Sequence, residues 1–222
     1  MTTHPIASQD TGTHTIAVYY DDFTPLKSPR DSAATKLVID TRKTVFSDFS
    51  VDGARVDSME KLGVHFFPDQ HIDDVVNYIV EQARTQNLKP VELFAAAAKE
   101  KGYPLFLQVY LYEHSSSKYS LTPFTCPWDS SLCGFMFVSA EQMKEHYHLD
   151  PEDSYGIMAM KVVMENELQD YTNFCNGVVY RVIVTDNATG EVINEFGNIF
   201  TDDTETLISN TATELEASKA NV

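Results

Sequence analysis

The chain has 222 residues, a formal net charge of −17, and 43% hydrophobic and 11% aromatic side chains. That composition supplies a proper core and excludes wholesale disorder, while the anionic surplus disfavours direct contact with nucleic acid or an anionic membrane. No apolar run approaches the roughly 18 residues that span a bilayer, and residues 1–10 lack the basic start and apolar stretch of a secretory signal, so a protein of the cytoplasm is expected.

Residues 1–13 are polar and aperiodic and read as a flexible arm. Thr15-Ile16-Ala17-Val18-Tyr19-Tyr20 has the β-branched and aromatic content of a strand. It runs into Asp21-Asp22 and a loop carrying Pro25 and Pro29. Lys36-Leu37-Val38-Ile39-Asp40 reads as a second strand, whereas residues 41–70 are mixed and receive no assignment. A helix is expected over 71–83, with Ile72, Val75, Val76, Ile79 and Ala83 on its buried face. Pro90 opens a second helix and Gly102 stops it.

The run from Pro104 to Tyr112 reads as a central strand, ending in the polar turn Glu113-His114-Ser115-Ser116-Ser117. A loop of fixed shape follows, Pro123-Phe124-Thr125-Cys126-Pro127-Trp128-Asp129-Ser130, in which Trp128 is expected to seal against the core. Gly134 to Val138 is another buried strand. Ser139 and Gln142 have capping-box spacing. Asp150-Pro151 is read as the start of a long helix with Ile157, Met160, Met164, Leu168 and Tyr171 along one buried stripe. Asn176-Gly177 ends it, and two apolar runs around Asp186-Asn187-Ala188-Thr189-Gly190 form a hairpin. The expected architecture is a single α+β domain over 14–205, with an antiparallel or mixed sheet and helices mainly on one side, and an acidic tail over 206–222.

Chemistry-bearing motifs are sparse. The three cysteines show neither CxxC nor zinc-finger spacing and read as structural thiols. No P-loop, GxGxxG, GxSxG, HExxH or EF-hand loop occurs, so no metal or cofactor is expected. His146 and His148 stand two apart on a predicted helix, a poor spacing for a shared metal. The 16 Lys and Arg are scattered, with Arg42-Lys43 the largest cluster.

Charge is the stronger signal. Residues 141–222 hold 16 Asp and Glu against four Lys and Arg, so this third carries −12. Solubility alone accounts for such a surface; the functional reading is attraction to a basic cleft.

Tyr19-Tyr20-Asp21-Asp22, Ser28-Pro29-Arg30, Tyr112-Glu113-His114-Ser115 and Pro123-Phe124-x-Cys126-Pro127-Trp128-Asp129-Ser130 with Gly134-Phe135 resemble a family of bacteriophage and mobile-element proteins. That family carries EHSG and PFxCPWDSGxxGF stretches; here Ser116 and Ser131 replace its glycines. The resemblance implies a phage context and no particular reaction. In that context the expected function is an acidic accessory protein that inhibits a host defence or nucleic-acid-processing protein by occupying its basic cleft as a DNA mimic, in the host cytoplasm. The mimic surface would be Glu141, Glu145, Asp150, Glu152, Asp153, Glu165, Glu167 and Asp170, with the Trp128 loop as scaffold or second contact. An alternative is a small hydrolase or nucleotide-processing enzyme whose site gathers Asp21, Asp22, Glu113, His114, Trp128, Asp129 and Ser130. A third is a virion or assembly component without catalysis.

Overall fold

The computed structural model describes residues 4–22, 24–126, 128–201 and 203–219. In chain order its elements are β1 (Ala7–Asp10), β2 (His14–Tyr20), β3 (Lys36–Asp40), β4 (Val45–Ser47), β5 (Ser50–Val51), β6 (Ala54–Arg55), α1 (Met59–Phe66), α2 (Val75–Thr85) and α3 (Pro90–Glu100). There follow β7 (Leu105–Glu113), β8 (Ser117–Ser120), β9 (Ser130–Val138), α4 (Ala140–Glu145), α5 (Ser154–Cys175), β10 (Tyr180–Asp186), β11 (Val192–Ile199) and α6 (Thr204–Lys219). Every strand pairing is antiparallel and the fold is α+β. Residues 1–3 of the expected arm, Pro127 of the tryptophan segment and residues 220–222 of the expected tail lie outside the described residues.

Where the sequence reading expects one domain, the chain divides into two compact units, Met1–Pro29 with Asp170–Val222, and Arg30–Gln169. In the first, β2 and β10 pair along their whole length, from Tyr20 opposite Tyr180 to His14 opposite Asp186, inside a sheet of order β1-β2-β10-β11. Alternation puts Ile16, Val18, Val182 and Val184 on one buried face, where Ile208, Leu207 and Leu215 of α6 meet them. The expected arm therefore contributes β1, whose Ala7 faces Val18 in register, and most of the expected tail is the covering helix. Asp203 caps α6 by accepting from the Thr206 backbone N–H and hydroxyl, which hold its carboxyl below the usual range. The 186–190 turn forms as expected, with Asp186 accepting from Ala188 and Thr189 and Gly190 at φ +74°.

The second unit is built on a five-stranded sheet of order β4-β3-β9-β7-β8. One face carries Val38, Phe106, Phe135 and Phe137; α1, α2 and α3 cover it with Leu62, Phe66, Val75, Ile79, Phe94 and Ala98. The aromatic packing is ordered: Phe106 stacks on Phe135 at 4.7 Å and meets Phe66 edge-on at 5.3 Å. The other face holds Leu37, Ile39 and Met136, also without solvent exposure. Gly134 permits β9 to lie against β3, since a Cβ there would stand 2.0 Å from the Val38 carbonyl oxygen.

The expected capping box holds, with Gln142 and Ser139 exchanging backbone-to-side-chain bonds. Two boundaries move. The helix expected from 71 begins at Val75, leaving Ile72 and Val76 exposed while Val75, Ile79 and Ala83 are buried. The long helix begins at Ser154, because Asp153 rather than Asp150 accepts from the backbone N–H of Gly156; Asp150 closes the preceding turn by accepting from Glu152. Its Met160, Met164 and Leu168 are buried as the periodicity predicts. Ser116 and Ser131 are absent from the positive-φ residues, so serine is unstrained at both.

Candidate functional site

The expected acidic surface is only partly assembled. Glu141 and Glu145 on α4, Asp150, Glu152 and Asp153 in the following turn, and Glu165 on α5 are exposed and make no ion pair among the described residues. Their arrangement is fixed by the chain. A Cβ on Gly156 would lie 2.0 Å from the Asp150 carbonyl oxygen, so the acidic turn sits directly on the first turn of α5.

Glu167 is not on that surface. Its carboxylate turns inward to the buried Arg30, 2.8 Å from Nη1, and accepts from Thr35 Oγ1 and Tyr147 Oη. Asp170 is half-buried and belongs to the other unit. The outward face of α5 is not acidic either: Tyr155, Met158 and Val162, 74%, 68% and 56% exposed, lie at i, i+3 and i+7. A cleft of about 620 Å³ adjoins them, lined by Pro104, Ala140, Pro151, Ile157 and Met158 together with Lys99, Glu152 and Asp153. Glu141 lines another, of about 500 Å³, with Lys36 and Lys101. The surface is thus an acidic collar beside an apolar patch rather than a continuous polyanion. The periodicity that buries Met160, Met164 and Leu168 on one side of α5 also sets Tyr155, Met158 and Val162 on the other, a signal present in the sequence alone.

Trp128 does not seal against the core. It is 92% exposed, at the end of a loop anchored instead by Phe124, whose ring lies 5.6 Å from Tyr112. Asp129 fixes this turn, its carbonyl accepting from the Glu113 N–H at 3.0 Å and its carboxylate from the Cys126 thiol. Trp128, Asp129, Ser130, Glu113 and Lys43 line a cleft of about 290 Å³ at one end of the sheet. Lys43 Nζ stands 2.9 Å from the Glu113 carboxylate. His114 is exposed and does not line this cleft. Asp21 and Asp22 lie in the other unit, where Asp21 bridges the N–H groups of Thr24 and Asn198. Of the residues expected to form one enzyme site, Glu113, Trp128, Asp129 and Ser130 share this cleft, where Glu113 is ion-paired with Lys43. Among the described residues no group of three or more His, Cys, Asp or Glu is suited to a metal ion.

No protein-family model, curated protein or solved structure matches the chain. The site therefore stands on its own geometry.

One constellation carries almost no signal in the sequence. Arg30, buried at the start of the second unit, donates from Nε to Asp48, whose carboxylate also lies 2.8 Å from Nη2, from Nη1 to Glu167, and from Nη2 to both oxygens of Thr35. Asp48 in turn accepts from the Leu37 N–H. Burial first, and the Glu167 carboxylate second, raise the Tyr147 phenol well above its usual range. The group is enclosed and its partners are mutually satisfied, so it locks α5 to the entry of β3 and offers nothing to a substrate. Its one sequence signal is the Ser28-Pro29-Arg30 segment; the partners, 18 and 137 residues away, carry none.

Proposed function

We propose that this protein works by binding, as an acidic accessory protein that inhibits a host defence or nucleic-acid-processing protein by occupying its basic cleft. The observation that carries this reading is the set of six exposed carboxylates over residues 141–165, without ion pairs among the described residues, on one closely packed turn and the helices either side of it. Exposed carboxylates in fixed positions attract a cationic cleft at long range and occupy the places of phosphates. The phage setting rests on the resemblance of the tyrosine, arginine and tryptophan segments. The apolar patch beside the collar supports a mixed protein–protein contact in which charge steers and apolar burial holds. Trp128, an exposed aromatic of the kind enriched at interface hot spots, is suited to a second contact.

The test uses Glu141→Gln, Glu145→Gln, Glu152→Gln and Glu165→Gln together, leaving the capping roles of Asp150 and Asp153 intact. The wild type is expected to capture a basic host protein at low salt, to release it as salt rises, and to compete with DNA for that protein once purified. The quadruple variant is expected to fold and to lose both properties. Undiminished capture and competition by that variant ends the proposal.

A further inference from the structure

We infer that the partner contacts α5 through a basic amphipathic helix laid along the Tyr155–Met158–Val162 face; this rests on the binding reading above and names the element of the partner that it requires. The three side chains form one continuous stripe, since residues three and four apart are neighbours on a helix. Each is more than half exposed on the same two turns, which distinguishes them from the scattered single apolar residues of an ordinary surface. The stripe continues as uncharged Asn166 and Gln169, both exposed, so an elongated occupant meets charge only at its margins, at Lys161 and Glu165. The cleft walled by Pro104, Ala140, Pro151 and Ile157 opens beside Met158, offering depth for an apolar side chain, with the Glu152 and Asp153 carboxylates and one cation, Lys99, also on its wall. A helix lying in such a groove reads it through apolar residues at the same three- and four-residue spacing.

Charge selects the occupant. Asp150, Glu152 and Asp153 crowd the N-terminal end of the stripe and Glu165 flanks its other end; Lys161 is the one cation on these turns of α5. A second copy of this chain, laid antiparallel on the stripe, brings the 150–153 carboxylates of each molecule toward Glu165 of the other. That juxtaposition is repulsive. A helix with lysine or arginine flanking its apolar face meets carboxylates at both ends instead.

The experiment uses two synthetic peptides of identical leucine and lysine content, one with leucines at helical three- and four-residue spacing and one scrambled, each titrated calorimetrically into the full chain at physiological salt. The wild type is expected to bind the amphipathic peptide about tenfold more tightly than the scrambled one, a difference equivalent to burying roughly two methylene groups. Tyr155→Ser, Met158→Ser and Val162→Ser together are expected to abolish that preference while keeping weak, salt-sensitive binding of both peptides. The Glu→Gln quadruple variant is expected to weaken both peptides and keep their ratio. Equal binding of the two peptides by the wild type, or a preference that survives the serine substitutions, overturns the inference while leaving the acidic-surface reading standing. Unchanged affinities in the quadruple variant overturn that reading instead. Self-association of the wild type that the serine substitutions abolish assigns the stripe to a second copy and also overturns the inference.

Discussion

At the residue scale, the Arg30 cluster shows how burial changes the weight of a charge. Arg30 is almost wholly excluded from solvent and its two carboxylate partners keep only 16% and 18% of their side-chain exposure, so removing one member strands the others. Arg30→Met is expected to lower unfolding free energy by about 3–5 kcal/mol in urea titrations. Lys43→Met, which breaks a solvent-exposed pair with Glu113, is expected to change it by less than about 1 kcal/mol. A smaller effect for Arg30 than for Lys43 contradicts the assignment of the cluster as a lock. His65 supplies a pH-dependent counterpart. Its ring lies edge-on to Phe49 and Phe66 at 5.1 and 4.7 Å, and its Nε2 is buried without a hydrogen-bond partner among the described residues. Burial, with a smaller push from Lys101, lowers its pKa below the ordinary 6.5. The unfolded chain therefore takes up this proton more readily than the folded one, so the contribution is full above pH 6.5 and is lost as pH falls below it. His65→Phe is expected to flatten this part of the acid limb in melting curves recorded from pH 7 to pH 5; an unchanged limb counts against it.

At the scale of elements, close backbone approach matters as much as side-chain burial. Gly134→Ala places a methyl group against the Val38 carbonyl, where neither strand can yield without losing register. The expected cost is roughly 1–3 kcal/mol, measured as a lowered thermal midpoint. Elements whose cause is local were legible in the sequence. The Ser139–Gln142 capping box, Pro90 at the start of α3, the Asp186–Gly190 turn and the Met160–Met164–Leu168 stripe each rest on residues a few positions apart. Elements that lean on a neighbouring strand and carry no apolar pattern of their own were not. β1 exists because β2 offers it an edge, β8 because β7 does, and the two- and three-residue strands within 41–70 are too short for a period to show. The candidate surface divides in the same way. Exposure of Glu141, Glu145 and Glu152 follows from ordinary polarity, but the inward turn of Glu167 follows from Arg30, 137 positions earlier.

At the scale of the whole molecule, a net charge of −17 on one chain repels itself, and folding brings those charges together. Salt is therefore expected to stabilise the protein while weakening its hold on a cationic partner. The thermal midpoint should rise between about 10 mM and about 0.5 M sodium chloride, over which the Debye length shrinks from roughly 30 Å to well under 10 Å; a midpoint that falls over this range contradicts the expectation. The exposed position of Trp128, the only tryptophan in the chain, has its own consequence. Its indole already stands in water in the native state, so unfolding changes its surroundings little. Intrinsic tryptophan emission should stay nearly flat through a denaturation that circular dichroism records as steep, and a blue shift of that lone emitter would signal contact with another molecule rather than the state of the fold.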